Sequence, residues 1–307
     1  MNETPVRRGE PALNGRGEAG AVPEDRGHGL RALLAGGRLV RVVGAHSGLS
    51  ARLVEASGFD AIWASGFELS TSHGLPDASI LTMSELLEAA RNMHEVVSIP
   101  VIADCDTGFG DIPNVVHMVR RYEASGIAGV CIEDKVFPKL NSFVADGHEL
   151  IDVGRFAMKL RAAKRAQRGS DLVVIARTEA LIAGGDVAEA LRRAEVYVEA
   201  GADAILVHSR ASTPAEIWAF LDRWDQRAPV VVVPTTFFAV DAHELERRGV
   251  RMVIYANHGL RAAVRAMQDT FRQLHESGSS RVVEDRIASV SELLELQGMT
   301  ALIEATL

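Results

Sequence analysis

The sequence predicts an α/β protein folded as a (β/α)8 barrel of the TIM type, and three observations support this class. Short apolar runs rich in β-branched residues alternate with amphipathic stretches from residue 39 onward. No adjacent hairpins join these runs, which predicts parallel strands. Eight strand–helix units in about 270 residues fit a barrel better than an open doubly wound sheet, and no Gly-x-Gly-x-x-Gly follows the first run.

The predicted strands are short and evenly spaced. They cover residues 39–43, 61–63, 101–104, 129–133, 172–176, 204–207, 230–233 and 252–255. Two helix starts are also marked. Thr82-Met83-Ser84-Glu85 has the spacing of a capping box, and Asp111 stands before Pro113, which suits the first turn of a helix.

The two ends of the chain differ from the barrel pattern. Residues 1–28 are rich in Gly, Pro, Glu and Arg and are predicted to form a disordered tail outside the fold. Residues 29–307 are predicted to form a single barrel domain with a C-terminal helical extension after Met267, which includes a helical pattern at 291–297. A barrel does not need that extension, so we expect it to contact a partner.

Composition excludes several classes of function. A net charge of −8 with 5% aromatic residues disfavours a nucleic-acid groove, and no run approaches the roughly 20 apolar residues of a membrane helix. The two cysteines, Cys105 and Cys131, are too few for a disulfide framework. The sequence therefore predicts a cytoplasmic protein that binds neither nucleic acid nor membrane.

Carboxylates at the predicted strand ends form a candidate metal site. Asp104 and Asp106 share one side of the third strand because side chains alternate with a period of two. Glu133 ends the neighbouring strand, and Asp77 lies in the long loop after the second. Hard oxygen ligands suit Mg²⁺. A lone Asp-x-Asp is usually solvated, and the neighbouring Glu133 is what favours the metal.

Other polar residues follow the remaining strands, where barrel active sites lie. They are Trp63 and Ser65, Arg177 and Glu179, His208, and Asn257 with His258. Structural alternatives remain open: Trp63 as packing, Arg177 as a barrel salt bridge, His208 as a structural histidine, and the two cysteines as small core residues.

The segment from Glu133 to Phe143 is unusually polar after a buried strand. It holds two carboxylates, Lys135, Lys139 and Asn141, and Pro138 prevents a helix from starting there. The two lysines could equally be solvated loop charges. The pattern favours an active-site loop over a plain connector.

These residues together resemble the isocitrate lyase and phosphoenolpyruvate mutase superfamily, across nearly all of residues 38–298. The motifs that carry the resemblance are Trp63-Ala64-Ser65-Gly66, Asp104-Cys105-Asp106-Thr107-Gly108, Glu133-Asp134-Lys135 through Asn141-Ser142, Ala176-Arg177-Thr178-Glu179-Ala180, His208-Ser209 and Ala256-Asn257-His258.

Within this superfamily the loop after the fourth strand distinguishes the chemistries. Carbon–carbon lyases carry a catalytic Cys there, and this chain has Pro138-Lys139-Leu140-Asn141-Ser142 instead. Phosphonopyruvate hydrolases have Thr where Asn141 stands, which favours the mutases. Phe67-Glu68-Leu69-Ser70 also occurs in the hydrolases and does not separate the two. A non-catalytic oxoacid or metal sensor is a third hypothesis.

The resemblance implies a Mg²⁺-dependent enzyme that interconverts phosphoenolpyruvate and phosphonopyruvate. Asp104 would hold the metal directly, with Asp77, Asp106 and Glu133 acting through waters. Ser65 and the amides beside Gly66 would bind the substrate carboxylate, next to Trp63 and Phe67. Asn141, Lys139, Arg177 and His208 would surround the phosphoryl group, and residues 135–146 would form a lid. The resemblance also implies a homotetramer whose subunits exchange their last helices.

Overall fold

The computed structural model describes residues 26–144 and 147–307, and it contains a closed barrel of eight parallel strands in sequence order. The predicted fold class is confirmed, and each predicted strand lies within two residues of an observed one. The strands are β1 (Val40–Ala45), β2 (Ala61–Ala64), β3 (Val101–Asp104), β4 (Gly129–Glu133), β5 (Val173–Thr178), β6 (Ala204–Val207), β7 (Val230–Val232) and β8 (Met252–Tyr255).

Helices cover the outside of the barrel and extend beyond it. They are α1 (Arg26–Ala35), α2 (Gly48–Ala56), α3 (Gly66–Ser72), α4 (Met83–Val96), α5 (Ile112–Ala124), α6 (Val153–Ala166), α7 (Val187–Glu199), α8 (Ala215–Trp224), α9 (Ala242–Arg247), α10 (His258–Ser277), α11 (Val290–Gln297) and α12 (Met299–Thr306). Both predicted helix starts are confirmed: Thr82 and Glu85 form a capping box, and Pro113 lies in the first turn of α5.

Alternation along the strands divides the apolar residues into two clusters. Ile102, Cys131 and Ile175 pack inside the barrel, whereas Cys105 packs outward with Tyr122 among the helices. Cys105 therefore faces away from Asp104, as the period of two predicts. Both cysteines are free and buried.

Helix α1 closes the lower end of the barrel, where the strands begin. Leu30 is fully buried in the inner cluster, and a Cβ added to Gly129 would lie 2.9 Å from its Cδ2 atom. Arg31 Nη1 donates to Asp203 Oδ1 at 3.0 Å, just before β6. The helix begins at Arg26, and the remainder of the predicted tail, residues 1–25, lies outside the described residues.

The C-terminal helices α10, α11 and α12 leave large apolar side chains exposed. Phe271, Val290 and Leu302 are 63%, 73% and 59% exposed. The predicted helical extension is therefore present, and its apolar surface is uncovered in the single chain. None of the helices in the described ranges is long and apolar enough to span a membrane.

Candidate active site

A cavity that is open to solvent on one side lies at the upper end of the barrel, where the strands end. Nine of the twelve residues predicted as site residues line it, and the other three, Gly66, Asp106 and Glu133, lie within 3.5 Å of lining residues. The lining residues are Trp63, Ser65, Phe67, Asp77, Asp104, Lys139, Asn141, Ser142, Phe143, Arg177, His208, Val233, Thr235, Ala256 and Asn257.

Asp104 ends β3 at the floor of the cavity. Burial raises the pKa of its carboxyl to about 7, with Asp106 adding to this effect and Arg177 opposing it. A Cβ on Gly66 would stand 3.3 Å from Asp104 Oδ2, so glycine leaves one side of this carboxylate open. A divalent cation beside Asp104 would favour its ionised form.

Glu133 lies on β4, next to Asp104 on β3. Its side chain is buried, and its Oε1 atom has no hydrogen-bond partner, while its Oε2 atom lies 3.3 Å from Arg177 Nε. A buried carboxylate oxygen without a partner usually accepts from a water or binds an ion. Glu133 is therefore able to accept a hydrogen bond from a metal-bound water.

The carboxylates do not form a set of three converging ligands. Within residues 26–144 and 147–307, no group of three Asp, Glu, His or Cys side chains is placed to hold a metal ion by itself. Mg²⁺ in proteins usually keeps several waters and takes only one or two carboxylates. The open side of Asp104 and the Oε1 atom of Glu133, which has no hydrogen-bond partner and lies 3.8 Å from Lys135 Nζ, fit such a hydrated ion.

The loop between β4 and α6 covers the cavity through contacts with Asp77. Lys139 Nζ lies 2.5 Å from Asp77 Oδ1 and 3.3 Å from Asp106 Oδ1, and Asn141 Nδ2 donates to Asp77 Oδ2 at 2.6 Å. Burial alone would lower the pKa of Lys139, but Asp106 and Asp77 outweigh it and hold the pKa above its ordinary value. The amine is therefore a permanent cation above the carboxylates.

Arg177 and His208 form the opposite wall of the cavity with Glu179 beneath them. Arg177 Nε is paired with Glu179 Oε1, and His208 Nδ1 lies 2.8 Å from the same oxygen. Burial would raise the pKa of Glu179, but Arg177 and His208 hold it well below its ordinary value. Burial lowers the pKa of His208, with Glu179 opposing only in part. The sequence left open whether Arg177 forms a salt bridge in the barrel or belongs to the site. It does both, because it pairs with Glu179 and lines the cavity.

Ser142 joins the covering loop to this wall. Its hydroxyl donates to Glu179 Oε2 at 2.7 Å and accepts from Lys135 Nζ at 2.7 Å. Lys135 Nζ also donates to Leu140 O at 2.9 Å and lies 3.2 Å from Glu179 Oε2. Lys135 is 2% exposed, so it is a buried support of the loop and not a solvated charge.

The start of α3 supplies the remaining wall. Ser65 caps this helix, with its Oγ accepting from Glu68 N at 3.2 Å, and Trp63 is 3% exposed. Ser65, Gly66 and Phe67 thus place a helix N-terminus beside the cavity, which favours an anionic group there. The predicted lid extends over residues 135–144, and its last two residues, 145 and 146, lie outside the described ranges.

Some cavity residues were not predicted from the sequence. Val233 and Thr235 lie just after β7; Val233 was predicted as the last residue of the seventh strand, and no charged group near it indicated a site. Glu68 does not line the cavity but lies behind Ser65 and Phe67; it is fully buried, its Oε1 atom has no hydrogen-bond partner, and its Oε2 atom lies 3.2 Å from His46 Nδ1. The preceding residue, Phe67, was predicted as a site residue, but no local sequence pattern indicated that the Glu68 side chain is buried.

Comparison with known proteins gives consistent matches. The family model described as phosphoenolpyruvate phosphomutase matches residues 30–275. The phosphonopyruvate hydrolase of Variovorax sp. strain Pal2 is 49% identical over 273 residues, which cover 88% of this chain and 93% of the relative.

Two solved structures share the fold over nearly their whole length. The crystal structure of phosphoenolpyruvate phosphomutase from Streptomyces platensis subsp. rosaceus has a TM-score of 0.90 and 53% identity, and covers 91% of this chain and 97% of the other. A phosphonopyruvate hydrolase in complex with oxalate and Mg²⁺ has a TM-score of 0.87, 46% identity and the same coverage.

Proposed function

The chain belongs to the phosphoenolpyruvate phosphomutase family, within the isocitrate lyase superfamily, and within that family we propose that it is a mutase. The reaction interconverts phosphoenolpyruvate and 3-phosphonopyruvate by moving the phosphoryl group between the enol oxygen and the methylene carbon of one pyruvate skeleton. The protein is then an isomerase that forms carbon–phosphorus bonds and serves phosphonate biosynthesis. The single observation that carries this proposal is Asn141, which bonds Asp77 across the mouth of the cavity.

The phosphoryl group needs cationic and hydrogen-bonding partners during transfer. Phosphoryl transfer passes through a loose, metaphosphate-like state with charge on the equatorial oxygens. Arg177, Lys139, Asn141 and His208 line one cavity and offer donors of this kind. The raised pKa values of Lys139 and Arg177 keep both side chains charged. His208 has a lowered pKa and acts in its neutral form, as a hydrogen-bonding group.

The pyruvate part would bind at the opposite side. Ser65 and the amides at the start of α3 suit the carboxylate, and Trp63 and Phe67 flank it. We assign Mg²⁺ to Asp104, with Asp106 and Glu133 contributing through waters. The Mg²⁺-bound relative supports this assignment. When bound there, the metal supplies positive charge that stabilises the enolate.

Exclusion of water decides between isomerisation and hydrolysis. Water that reached the phosphoryl group would capture it and release pyruvate and phosphate. Lys139 and Asn141 hold the loop against Asp77, and Ser142 holds it against Glu179. The loop thus acts as a lid that keeps the group on its own carbon skeleton.

Phosphonopyruvate hydrolysis is the alternative function, and the 49% identity to the Variovorax hydrolase favours it. Phosphorus NMR of phosphonopyruvate with the enzyme and Mg²⁺ separates the two activities. The mutase is expected to produce the phosphoenolpyruvate resonance. Inorganic phosphate and pyruvate as the sole products would establish the hydrolase instead. An absence of any turnover, with Mg²⁺ bound, would revive the sensor hypothesis.

Assembly and location belong to the same proposal. We propose a homotetramer in which α10, α11 and α12 pack on a neighbouring subunit, supported by the exposed Phe271, Val290 and Leu302. Two buried free cysteines are consistent with a reducing cytoplasm. The substrate is a small anion for both the mutase and the hydrolase activity, and we expect the protein to bind neither nucleic acid nor membrane.

A further inference from the structure

Lys159 is a buried cation that lies outside the cavity. It lies on α6, between the apolar residues Phe156 and Leu160 that face the barrel, and is 3% exposed. Its Nζ atom donates to two neutral backbone oxygens, Thr107 O at 3.0 Å and Gly110 O at 2.6 Å. Burial lowers the pKa of this amine, and the more distant Asp111 opposes only in part. Burying a charged group costs free energy unless hydrogen bonds or an opposite charge compensate for the lost hydration, so the position of Lys159 needs an explanation.

The two carbonyls belong to the loop that follows Asp104 and Asp106. In this loop Asp106 and Phe109 have positive φ angles of 47° and 59°, and so do Gly108 and Gly110, at 88° and 137°. Left-handed conformations in non-glycine residues persist only where the surroundings impose them. Lys159 supplies one such constraint, from the side of the loop opposite the cavity.

Other contacts connect the same loop to the active site. Asp106 O accepts from Glu133 N at 2.8 Å, and the Asp106 side chain accepts from Ser79 Oγ at 3.0 Å and pairs with Lys139. A shift of the loop would therefore move the Asp106 carboxylate, the backbone of Glu133 and the ion pair between Asp106 and Lys139 together.

We propose that Lys159 is a positioning residue. Its ammonium group occupies a cation site formed by Thr107 O and Gly110 O, and these two contacts hold the loop so that the carboxylates of Asp104 and Asp106 stay in place. The consequence for metal binding rests on the proposed function, whereas the effect on the loop does not.

The first test measures hydrogen exchange of the loop amides in Lys159→Ala, with and without propylammonium. Propylammonium replaces the three carbons and the nitrogen that the substitution removes. Protection at Gly108, whose N–H donates to Cys105 O at 2.8 Å, is expected to be lost in the variant and restored by the amine. Lys159→Met fills the space without charge, and is expected to lose protection without rescue. Lys164→Ala on the same helix, which pairs with Asp203 at 2.8 Å, is the matched control.

The second test measures Mn²⁺ binding by electron paramagnetic resonance in the same variants. Residues that support a metal ligand typically change affinity 10- to 100-fold, so the Kd of Lys159→Ala is expected to rise at least about tenfold and to recover with propylammonium. Retained protection in Lys159→Ala or Lys159→Met would overturn the cation site, and unchanged Mn²⁺ affinity beside lost protection would overturn the link to the carboxylates. Failure of the mutase proposal itself would show separately, as wild-type protein that yields no phosphoenolpyruvate.

Discussion

Asn141 Nδ2 donates to Asp77 Oδ2 at 2.6 Å, which joins the loop after β4 to the loop after β2 directly above the cavity. Asn141 also accepts from Phe143 N at 3.0 Å, so its amide group is fixed at both ends. The side chain thus bridges the lid to the body of the barrel, and its replacement is the most direct test of the proposed reaction.

Asn141→Thr is expected to redirect the reaction from isomerisation to hydrolysis. Thr is shorter, cannot keep both contacts of the amide, and leaves space beside the phosphoryl group for a water. Phosphorus NMR would show inorganic phosphate formed faster than phosphoenolpyruvate. Asn92→Thr, at an exposed position on α4 outside the cavity, serves as the matched control. A variant that isomerises at the wild-type rate without releasing phosphate would contradict the role of Asn141.

Asp104→Ala is expected to abolish turnover without unfolding the protein. The loss of a group that holds the metal removes several kcal/mol of transition-state stabilisation, which corresponds to about a 1000-fold lower kcat/KM. Phosphorus NMR of phosphoenolpyruvate formed from phosphonopyruvate measures the loss, and circular dichroism checks the fold. Asp222→Ala, at a side chain 67% exposed, should keep its activity. Substantial activity in Asp104→Ala would place the metal elsewhere.

Ser142→Ala is expected to loosen the lid and destabilise the protein. The substitution leaves Glu179 Oε2 and Lys135 Nζ each without one partner, and an unsatisfied buried polar group costs about 1–3 kcal/mol. Urea unfolding would measure this loss. Protease cleavage between residues 135 and 144 should also become faster. Ser209→Ala, also buried but outside the lid, is the comparison. Equal stability and equal cleavage would show that Ser142 does not fasten the loop.

The free energy of unfolding is expected to decrease as the pH falls, and part of this decrease is expected to come from protonation of His208. Its pKa is lowered by burial in the folded state, so the unfolded chain binds the proton first. The neutral form contributes its full share of stability above the ordinary pKa of about 6.5, and this share is lost as the pH falls toward the folded value. One such group changes the free energy of unfolding by up to about 1.4 kcal/mol per pH unit.

Urea titrations from neutral to acidic pH would test this dependence in His208→Asn, which should show a flatter curve than wild type. His243→Asn, at an exposed position on α9, should follow the wild-type curve. If His208→Asn also follows it, the histidine does not contribute to the acid sensitivity.

Leu302→Asp is expected to weaken the proposed assembly. The side chain is 59% exposed on α12, and a charge there would oppose burial against another subunit. Sedimentation velocity should show a smaller species for this variant than for wild type. Glu304→Lys on the same helix is the control for a change of charge. A wild-type protein that sediments as a monomer at micromolar concentration would remove the basis of the tetramer.

The sequence predicted those features that follow from local pattern. Strand ends were found because β-branched runs are short and end in polar residues. For this reason Asp104, Arg177 and His208 line one cavity, and Glu133 lies 3.3 Å from Arg177 beside it. The inner and outer faces of β3 also followed from the period of two. Barrel geometry then converts positions far apart in the chain into neighbours.

Features that depend on long-range contacts were not predicted. Lys159 is one of several basic residues on α6, a pattern typical of a solvated helix face. Its side chain nevertheless points inward and contacts the loop after β3. Leu30 belongs to a segment with few apolar residues before it, and only the closed barrel offers the space that buries it. In both residues the partner lies more than 45 positions away, so no local rule identifies it.

Leu30 seals the lower end of the barrel, and this has a kinetic consequence for the upper end. Substrate and product of the proposed reaction would then pass through the upper opening, beside the loop that carries Lys139, Asn141 and Ser142. In the proposed reaction, each opening of the loop that releases a product would also admit water. For the proposed mutase, one motion of the loop would therefore set both the rate of turnover and the loss of phosphate to water, so a lid that opened faster would give more hydrolysis.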